Sequence, residues 1–91
     1  MKIIQSTSFS KTVKKLSKKD KQKIDKQIMK IISNPNVGHR QKGDLKNVFV
    51  HKFKLNTLQY LLAYRISDNV LELIMLGSHE NYYRDLKKYI S

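Results

Sequence analysis

The chain has 91 residues, with 19 Lys and Arg against seven Asp and Glu, a formal net charge of +12 and no cysteine. This length predicts one domain over residues 1–91, and the lack of cysteine excludes a disulfide framework and a thiolate metal site. No apolar run approaches the roughly 20 residues that cross a bilayer, which favours a soluble, cytoplasmic protein with no membrane partner. The excess positive charge predicts a polyanionic partner, either nucleic acid or an acidic protein.

The first third of the chain predicts a short strand followed by a helical hairpin. Residues 1–5 are apolar enough for a strand, and the hydroxyl residues 6–8 offer helix N-caps. The helical spacing of the first helix is carried by Phe9, Val13 and Leu16. Ser17 and Asp20 form a capping-box pattern that should begin a second helix, and Pro35 should end it. The ten lysines of residues 1–30 should coat the outer face of this hairpin.

The rest of the chain predicts a basic loop over residues 36–47, three strands and a final helix. The strand-like runs are residues 48–55, 58–66 and 70–76, and turn-type residues separate them. Gly77 should break the last strand, and Ser78 or His79 should cap a helix that continues to Tyr89. The element order predicts an α+β fold in which the helical hairpin covers one face of a small antiparallel sheet.

The other face of this sheet is expected to be open and cationic. Because strand side chains alternate, Lys52, Lys54 and Arg65 point away from the bulky apolar residues of the same strands. Three cations on an open face could hold a phosphate backbone, or they could be ordinary solvent-facing residues. His51 falls on the apolar side, where it is either a hydrogen-bonded core residue or a functional one.

The C-terminal helix predicts both packing and chemistry. Its apolar stripe consists of Tyr82, Leu86, Tyr89 and Ile90. Tyr83 lies off that stripe, and His79 lies four residues before it. A histidine can transfer protons and a tyrosine can stack on a base, so these two residues and the strand cations match the needs of RNA cleavage by its own 2′-hydroxyl. That chemistry needs no metal or other cofactor; alternatively, His79 is a helix-start residue without a chemical role.

Four segments together resemble the RelE/ParE superfamily of toxins from bacterial type II toxin–antitoxin modules, and within it the StbE-like RelE branch. They are Lys42–Leu45, Val48–Lys54, Leu61–Arg65 and Leu76–Leu86. The resemblance implies an endoribonuclease that enters the ribosomal A site and cuts mRNA. It implies a catalytic set of Lys52, Lys54, Arg65, His79 and Tyr83. One departure is that a histidine stands where some members have an arginine near Gly77.

The resemblance also implies partners and leaves two alternatives open. Further RNA contacts are expected from His51, Arg40, Lys42, Lys46 and Arg84. The basic helices would contact ribosomal RNA, an acidic cognate antitoxin would cover the toxin, and operator DNA would be bound only through that antitoxin. The first alternative is a ParE-type inhibitor of DNA gyrase, which has the same fold without nuclease chemistry. The second is a non-catalytic basic module that binds nucleic acid.

Overall fold

A computed structural model describes residues 1–78 and 80–90. Its elements are β1 (Lys2–Gln5), α1 (Thr7–Lys14), α2 (Lys18–Ser33), β2 (His39–Arg40), a 3₁₀ turn (Gly43–Leu45), β3 (Phe49–Leu55), β4 (Leu58–Ser67), β5 (Val70–Ser78) and α3 (Tyr82–Ile90). The five strands form one sheet in the order β1-β5-β4-β3-β2. β1 runs parallel to β5, and the other neighbouring strands are antiparallel. None of the helices in the described ranges is long and apolar enough to cross a membrane.

The two hairpin helices begin where the sequence predicts. Ser6 Oγ accepts a hydrogen bond from the Phe9 amide at 3.0 Å, and Ser17 Oγ accepts one from the Asp20 amide at 3.1 Å. Each serine thus satisfies an amide that the first helical turn leaves without a partner. The Ser6 hydroxyl also donates to the carbonyl of Ile74, so the start of α1 is joined to β5.

The hairpin covers the predicted face of the sheet. Its helices contribute Phe9, Ile24 and Ile31 to a buried cluster. The sheet contributes Leu55, Leu62, Tyr64, Leu71, Leu73 and Leu76 to the same cluster. These residues carry the helical spacing and strand alternation expected of two apolar surfaces that pack against each other.

The opposite face is not open, contrary to the expectation from the sequence. α3 and the 3₁₀ turn cover much of it with a second buried cluster of Leu45, Val48, Val50, Leu61, Ala63, Ile74, Tyr82 and Leu86. A β-bulge supports this cover: Ala63 pairs with Met75 and Tyr64 pairs with Leu73, so Ile74 is an extra residue in β5. The bulge allows Ile74 to join the α3 side of the sheet.

The predicted end of β5 and the predicted start of α3 are both wrong. β5 continues to Ser78, because Leu61 pairs with Gly77 and Tyr60 pairs with Ser78. α3 therefore begins at Tyr82, and the alternative cap His79 lies outside the described residues. The glycine has a packing role, since a Cβ at position 77 would lie 3.3 Å from Tyr82 Cδ1.

Two further expectations need correction. The predicted loop over residues 36–47 contains β2 and the 3₁₀ turn, because His39 and Arg40 pair with the start of β3. On α3 the docking stripe is formed by Tyr82, Leu86 and Ile90, which follow one another at a spacing of four residues. Tyr89 is 45% exposed and lies outside this contact.

Candidate functional site

Lys52 and Lys54 lie on β3, on the sheet face that α3 partly covers. They stand opposite Leu61 and Gln59 of β4, and both side chains are exposed. Residues two apart on a strand have Cα atoms about 7 Å apart, so the two ammonium groups can approach one phosphate together. Within residues 1–78 and 80–90, no carboxylate forms an ion pair with either lysine. Both charges are therefore available to an anionic ligand.

α3 begins at the same end of the sheet. Lys52, Leu61 and Gly77 occupy one row across three strands, and the Tyr82 ring packs over Gly77. Neighbouring strands are about 4.8 Å apart, so Lys52 lies about 10 Å from Gly77 between Cα atoms. This row places the two lysines beside the first turn of α3.

Tyr82 fixes that turn in place. Its hydroxyl donates to the carbonyl of Met75 at 2.7 Å, and its ring is buried. Burial raises the pKa of Tyr82 well above its usual range, so its hydroxyl stays protonated. These properties suit a residue that positions α3 and exclude a residue that exchanges protons near neutral pH.

Tyr83 is held by Tyr82. The two rings meet edge to face with centroids 5.7 Å apart, and Tyr83 is half-buried against the α3-side cluster. The sequence predicts Tyr83 off the docking stripe, whereas the structure gives it a partial packing role there. The expected acid–base residue His79 lies outside the described residues.

Arg65 is not brought together with Lys52 and Lys54. It lies four residues beyond Leu61 on β4, which puts it about 13 Å along the strand from the row of Lys52. Its Nε and Nη2 both donate to Glu72 Oε1, at 3.1 and 2.9 Å. The structure thus assigns Arg65 to the opposite end of the sheet.

His51 is a core residue, and the expectation that it contacts RNA is not supported by its position. The ring is 8% exposed, stacks on Phe53, and places Nε2 2.8 Å from Gln27 Oε1 on α2. Because that oxygen is an acceptor, the contact assigns a proton to Nε2. Burial, followed by the charge of Lys30, lowers the pKa of His51. The alternation of side chains along β3 places His51 on the face that the helical hairpin covers, so its ring is shielded from an RNA ligand.

The remaining expected RNA contacts occupy three places. Lys42 and Lys46 flank the 3₁₀ turn and are exposed. Arg84 lies on α3, where its Nε is 3.6 Å from Asp85 Oδ1. Arg40 on β2 lines a pocket of about 290 Å³ together with Arg65. The other lining residues are Asn47, Phe49, Ile66 and Ser67.

Sequence reasoning did not find this pocket. Arg40 is opposite Phe49 on β3, and Phe49 is opposite Tyr64, the neighbour of Arg65 on β4. The two arginines are thus joined through strand pairing over three strands. No local spacing signals such a contact, because β2 has only two residues and no alternating pattern. In the described part of the chain, no three His, Asp or Glu side chains are grouped so that they could hold a metal ion.

Comparison with known proteins shows the family to which the chain belongs. A family model described as the ParE-like toxin of type II bacterial toxin–antitoxin systems matches residues 3–87. The fold is similar to that of an E. coli RelBE toxin–antitoxin complex, with TM-score 0.68 and 20% identity over 87% of this chain and 96% of that one. A YoeB/ParE toxin from Agrobacterium tumefaciens gives TM-score 0.69 and 20% identity, over 87% and 99% of the two chains.

A free E. coli RelE toxin mutant gives TM-score 0.71 and 16% identity, over 98% of this chain and 92% of that one. A search of curated proteins found no matching relative. At these identities the solved structures show the fold alone, and they carry the names of both the RelE and the ParE toxins.

Proposed function

We propose that this chain, which belongs to the ParE-like toxins of type II bacterial toxin–antitoxin systems, arrests translation as a ribosome-dependent mRNA endoribonuclease. The observation that carries the proposal is the exposed pair of Lys52 and Lys54, which has no ion-pair partner in residues 1–78 and 80–90 and stands beside the first turn of α3. Both ammonium groups project from one face of one strand, where a single phosphate could contact them together.

The proposed reaction is attack of an RNA 2′-hydroxyl on its own phosphodiester. The 2′-oxygen bonds to phosphorus and loses its proton to a base, while the bond to the 5′-oxygen breaks and that oxygen takes a proton from an acid. The products are a 2′,3′-cyclic phosphate and a 5′-hydroxyl. Lys52 and Lys54 would stabilise the charge that develops on the phosphate oxygens.

Proton transfer and base stacking would come from the segment before and within α3. His79 is the candidate for proton transfer because its ordinary pKa lies near neutrality, and a positioned acid or base contributes about 10²–10⁴ in rate. Tyr83 would stack on a base, with its ring held by Tyr82. Arg65 has no part in this step because it lies at the other end of the sheet.

The same proposal includes two partners. The net charge of +12 suits binding to ribosomal RNA. The ribosome would position the mRNA in a site that has few acid–base groups of its own. The charge also suits an acidic antitoxin, and one of the similar folds belongs to a RelBE toxin–antitoxin complex. Operator DNA would be bound through the antitoxin alone.

The test is cleavage of a defined mRNA on purified, programmed ribosomes, mapped by primer extension. We expect breaks within the codon in the A site. Lys52→Ala and Lys54→Ala should each slow cleavage about 100-fold, the usual effect of removing one charge-stabilising donor. His79→Ala and Tyr83→Ala should also slow it. Lys87→Ala, an exposed lysine of α3 outside the site, is the matched control and should cleave like the wild type. Wild-type rates in the two β3 variants would refute the proposed site.

Inhibition of DNA gyrase is the second candidate, favoured by the ParE-like description of the matching family. It predicts that the chain blocks supercoiling by purified gyrase while mRNA on ribosomes stays intact. Cleaved mRNA together with normal supercoiling would remove this candidate. Salt-sensitive nucleic-acid binding with neither effect would instead indicate the non-catalytic module.

A further inference from the structure

We propose that the pocket between β2 and the end of β4 is a second RNA site, which binds a phosphodiester of single-stranded RNA through Arg40 and Arg65. This inference rests on the proposed function in taking RNA as the ligand. It differs from that proposal in place and role, because the pocket lies about 13 Å along the sheet from the row of Lys52 and contacts a different nucleotide.

The pocket is formed by strand pairing, and Tyr64 stabilises it from the hairpin side of the sheet. The Tyr64 hydroxyl donates to the Pro35 carbonyl at 2.6 Å and accepts from the Gly38 amide at 3.0 Å. These two bonds fasten the chain immediately before β2, which carries Arg40. Tyr64 itself stacks on Phe49, a residue of the pocket wall, with ring centroids 5.4 Å apart. Arg40 is therefore attached to the same rigid sheet as Arg65.

Both guanidinium groups are oriented by a neighbour and keep donors for a ligand. Arg65 directs Nε and Nη2 to one oxygen of Glu72, and its side chain remains 38% exposed. Arg40 Nη2 lies 3.4 Å from Asn47 Oδ1. A guanidinium has five N–H donors, so each arginine retains several after these contacts. The planar fork matches the oxygens of a phosphate better than an ammonium group does.

The charge of the pocket suits one phosphodiester. Two arginines and Glu72 sum to one positive charge, which equals the single negative charge of one backbone phosphate. Lys42 and Lys46 are exposed in the segment between β2 and β3, close in sequence to Arg40 and Asn47 of the pocket. These two lysines are candidates for contact with the neighbouring phosphates of the same strand.

The size of the pocket favours a nucleotide over an elongated protein segment. Its volume of about 290 Å³ lies just below the range for small-ligand sites, which is about 300–1,000 Å³. A partner strand or helix needs a long groove, whereas this pocket takes one compact group. Phe49 and Ile66 supply apolar surface for a sugar or base, and Ser67 and Asn47 supply polar groups.

The probe for the test is a fluorescein-labelled 2′-O-methyl RNA 12-mer, which the proposed reaction cannot cleave because it has no free 2′-hydroxyl. Binding is measured by anisotropy from 50 to 300 mM KCl. The double variant Arg40→Ala/Arg65→Ala should bind at least 10-fold more weakly. Its plot of log affinity against log salt should be shallower, by about 0.7 for each phosphate that the variant no longer neutralises.

Glu72→Gln separates binding from mere structural support. It removes the negative charge beside Arg65 and so raises the pocket charge, while the glutamine oxygen can still accept from Arg65, so the variant should bind the 12-mer more tightly than the wild type. If Arg65 only supports the fold through its ion pair, Glu72→Gln and Arg65→Ala would both weaken binding, which would overturn the proposal. Arg65→Lys keeps the charge without the fork and should fall between wild type and Arg65→Ala. Lys87→Ala is the control for loss of one exposed charge. Urea midpoints show whether each variant is folded.

Two other results decide between this inference and its rivals. A glutamate-rich peptide that binds through Arg40 and Arg65, while the RNA does not, would overturn the RNA assignment and indicate an acidic protein segment. Ribosomal cleavage is measured in parallel on the wild type. If it is absent while the 12-mer still depends on the two arginines, the proposed nuclease function fails and the pocket stands. If cleavage occurs and the arginine variants bind the 12-mer normally, the pocket fails alone.

Discussion

Tyr64 shows how one buried hydroxyl can organise a loop. It lies in the hairpin-side cluster, and its two backbone bonds hold the chain at Pro35 and Gly38. The approach is close, since a Cβ at Gly38 would lie 2.9 Å from the Tyr64 ring and hydroxyl. Burial raises the pKa of Tyr64, so the hydroxyl keeps the proton that it donates to Pro35. The position of β2 thus depends on a residue that sequence alternation identifies only as apolar core.

His51 makes the stability of the protein depend on pH. Its pKa in the folded state is lowered by burial and by Lys30, whereas an unfolded histidine has a pKa of about 6.5. The unfolded chain therefore binds the proton more strongly. The stabilisation is complete above pH 6.5 and is lost progressively as the pH falls towards the folded pKa. We expect the free energy of unfolding in urea to decrease over this interval.

The variant His51→Gln isolates this effect. Glutamine can still donate to Gln27 but does not titrate, and the other histidines are common to both proteins. The difference in free energy of unfolding between wild type and variant should therefore change below pH 6.5, by at most about 1.4 kcal/mol per pH unit. A difference that stays constant from pH 7.5 to pH 5 would contradict the assignment.

At the scale of elements, the starts of α1 and α2 follow from local sequence and the start of α3 does not. Ser6 and Ser17 each cap an amide three residues away, so the signal and the structure lie within one turn. α3 begins only where β5 ends, and β5 is lengthened by the pairing of Gly77 with Leu61. Strand pairing at long range thereby overrides the apparent cap at Ser78.

The two caps should differ in strength. Ser17→Ala removes a single exposed capping bond and should lower the free energy of unfolding by about 1 kcal/mol. Ser6→Ala removes a cap together with the bond from the Ser6 hydroxyl to the Ile74 carbonyl, so it should cost about 1 kcal/mol more. Urea unfolding of both variants measures the difference. Equal losses would show that the link between α1 and β5 adds no stability.

At the scale of the whole molecule, repulsion among like charges opposes folding. The described residues contain three ion pairs, against a net charge of +12 on the chain. The folded chain has a radius of gyration of 12.3 Å, which brings most of these charges within one Debye length of each other at low salt, where that length is about 30 Å. An expanded unfolded chain separates them further. The folded state is therefore the one that gains more from screening.

We expect the urea midpoint to rise between 10 and 200 mM NaCl, where the Debye length falls from about 30 to below 10 Å. A variant with Lys15→Gln and Lys19→Gln, two exposed lysines of the hairpin region, should respond less steeply. A midpoint that falls with salt would mean that attractive ion pairs outweigh the repulsion. Chloride is used because phosphate and sulfate could bind the candidate anion sites.

By itself the sequence determined the α+β class, both hairpin helices, the sheet face that they cover and the RelE/ParE resemblance. The first three properties arise from caps, periodicity and alternation, which act over a few residues, and the resemblance rests on four short segments of the sequence. It also placed Lys52 and Lys54 correctly on one face, because β3 pairs with β4 without a bulge and its side chains keep the period of two. It could not determine how β4 and β5 register.

The pairing and register of the strands determine the features that only the tertiary structure shows. The bulge at Ile74 and the extension of β5 set the place where α3 docks, so much of the second face is covered instead of open. Pairing of β2, β3 and β4 places Arg65 far from Lys52 and Lys54 and brings it to the same pocket as Arg40. Hydrogen bonds between strands link residues that are distant along the chain, and no local pattern contains the offset at which two strands meet.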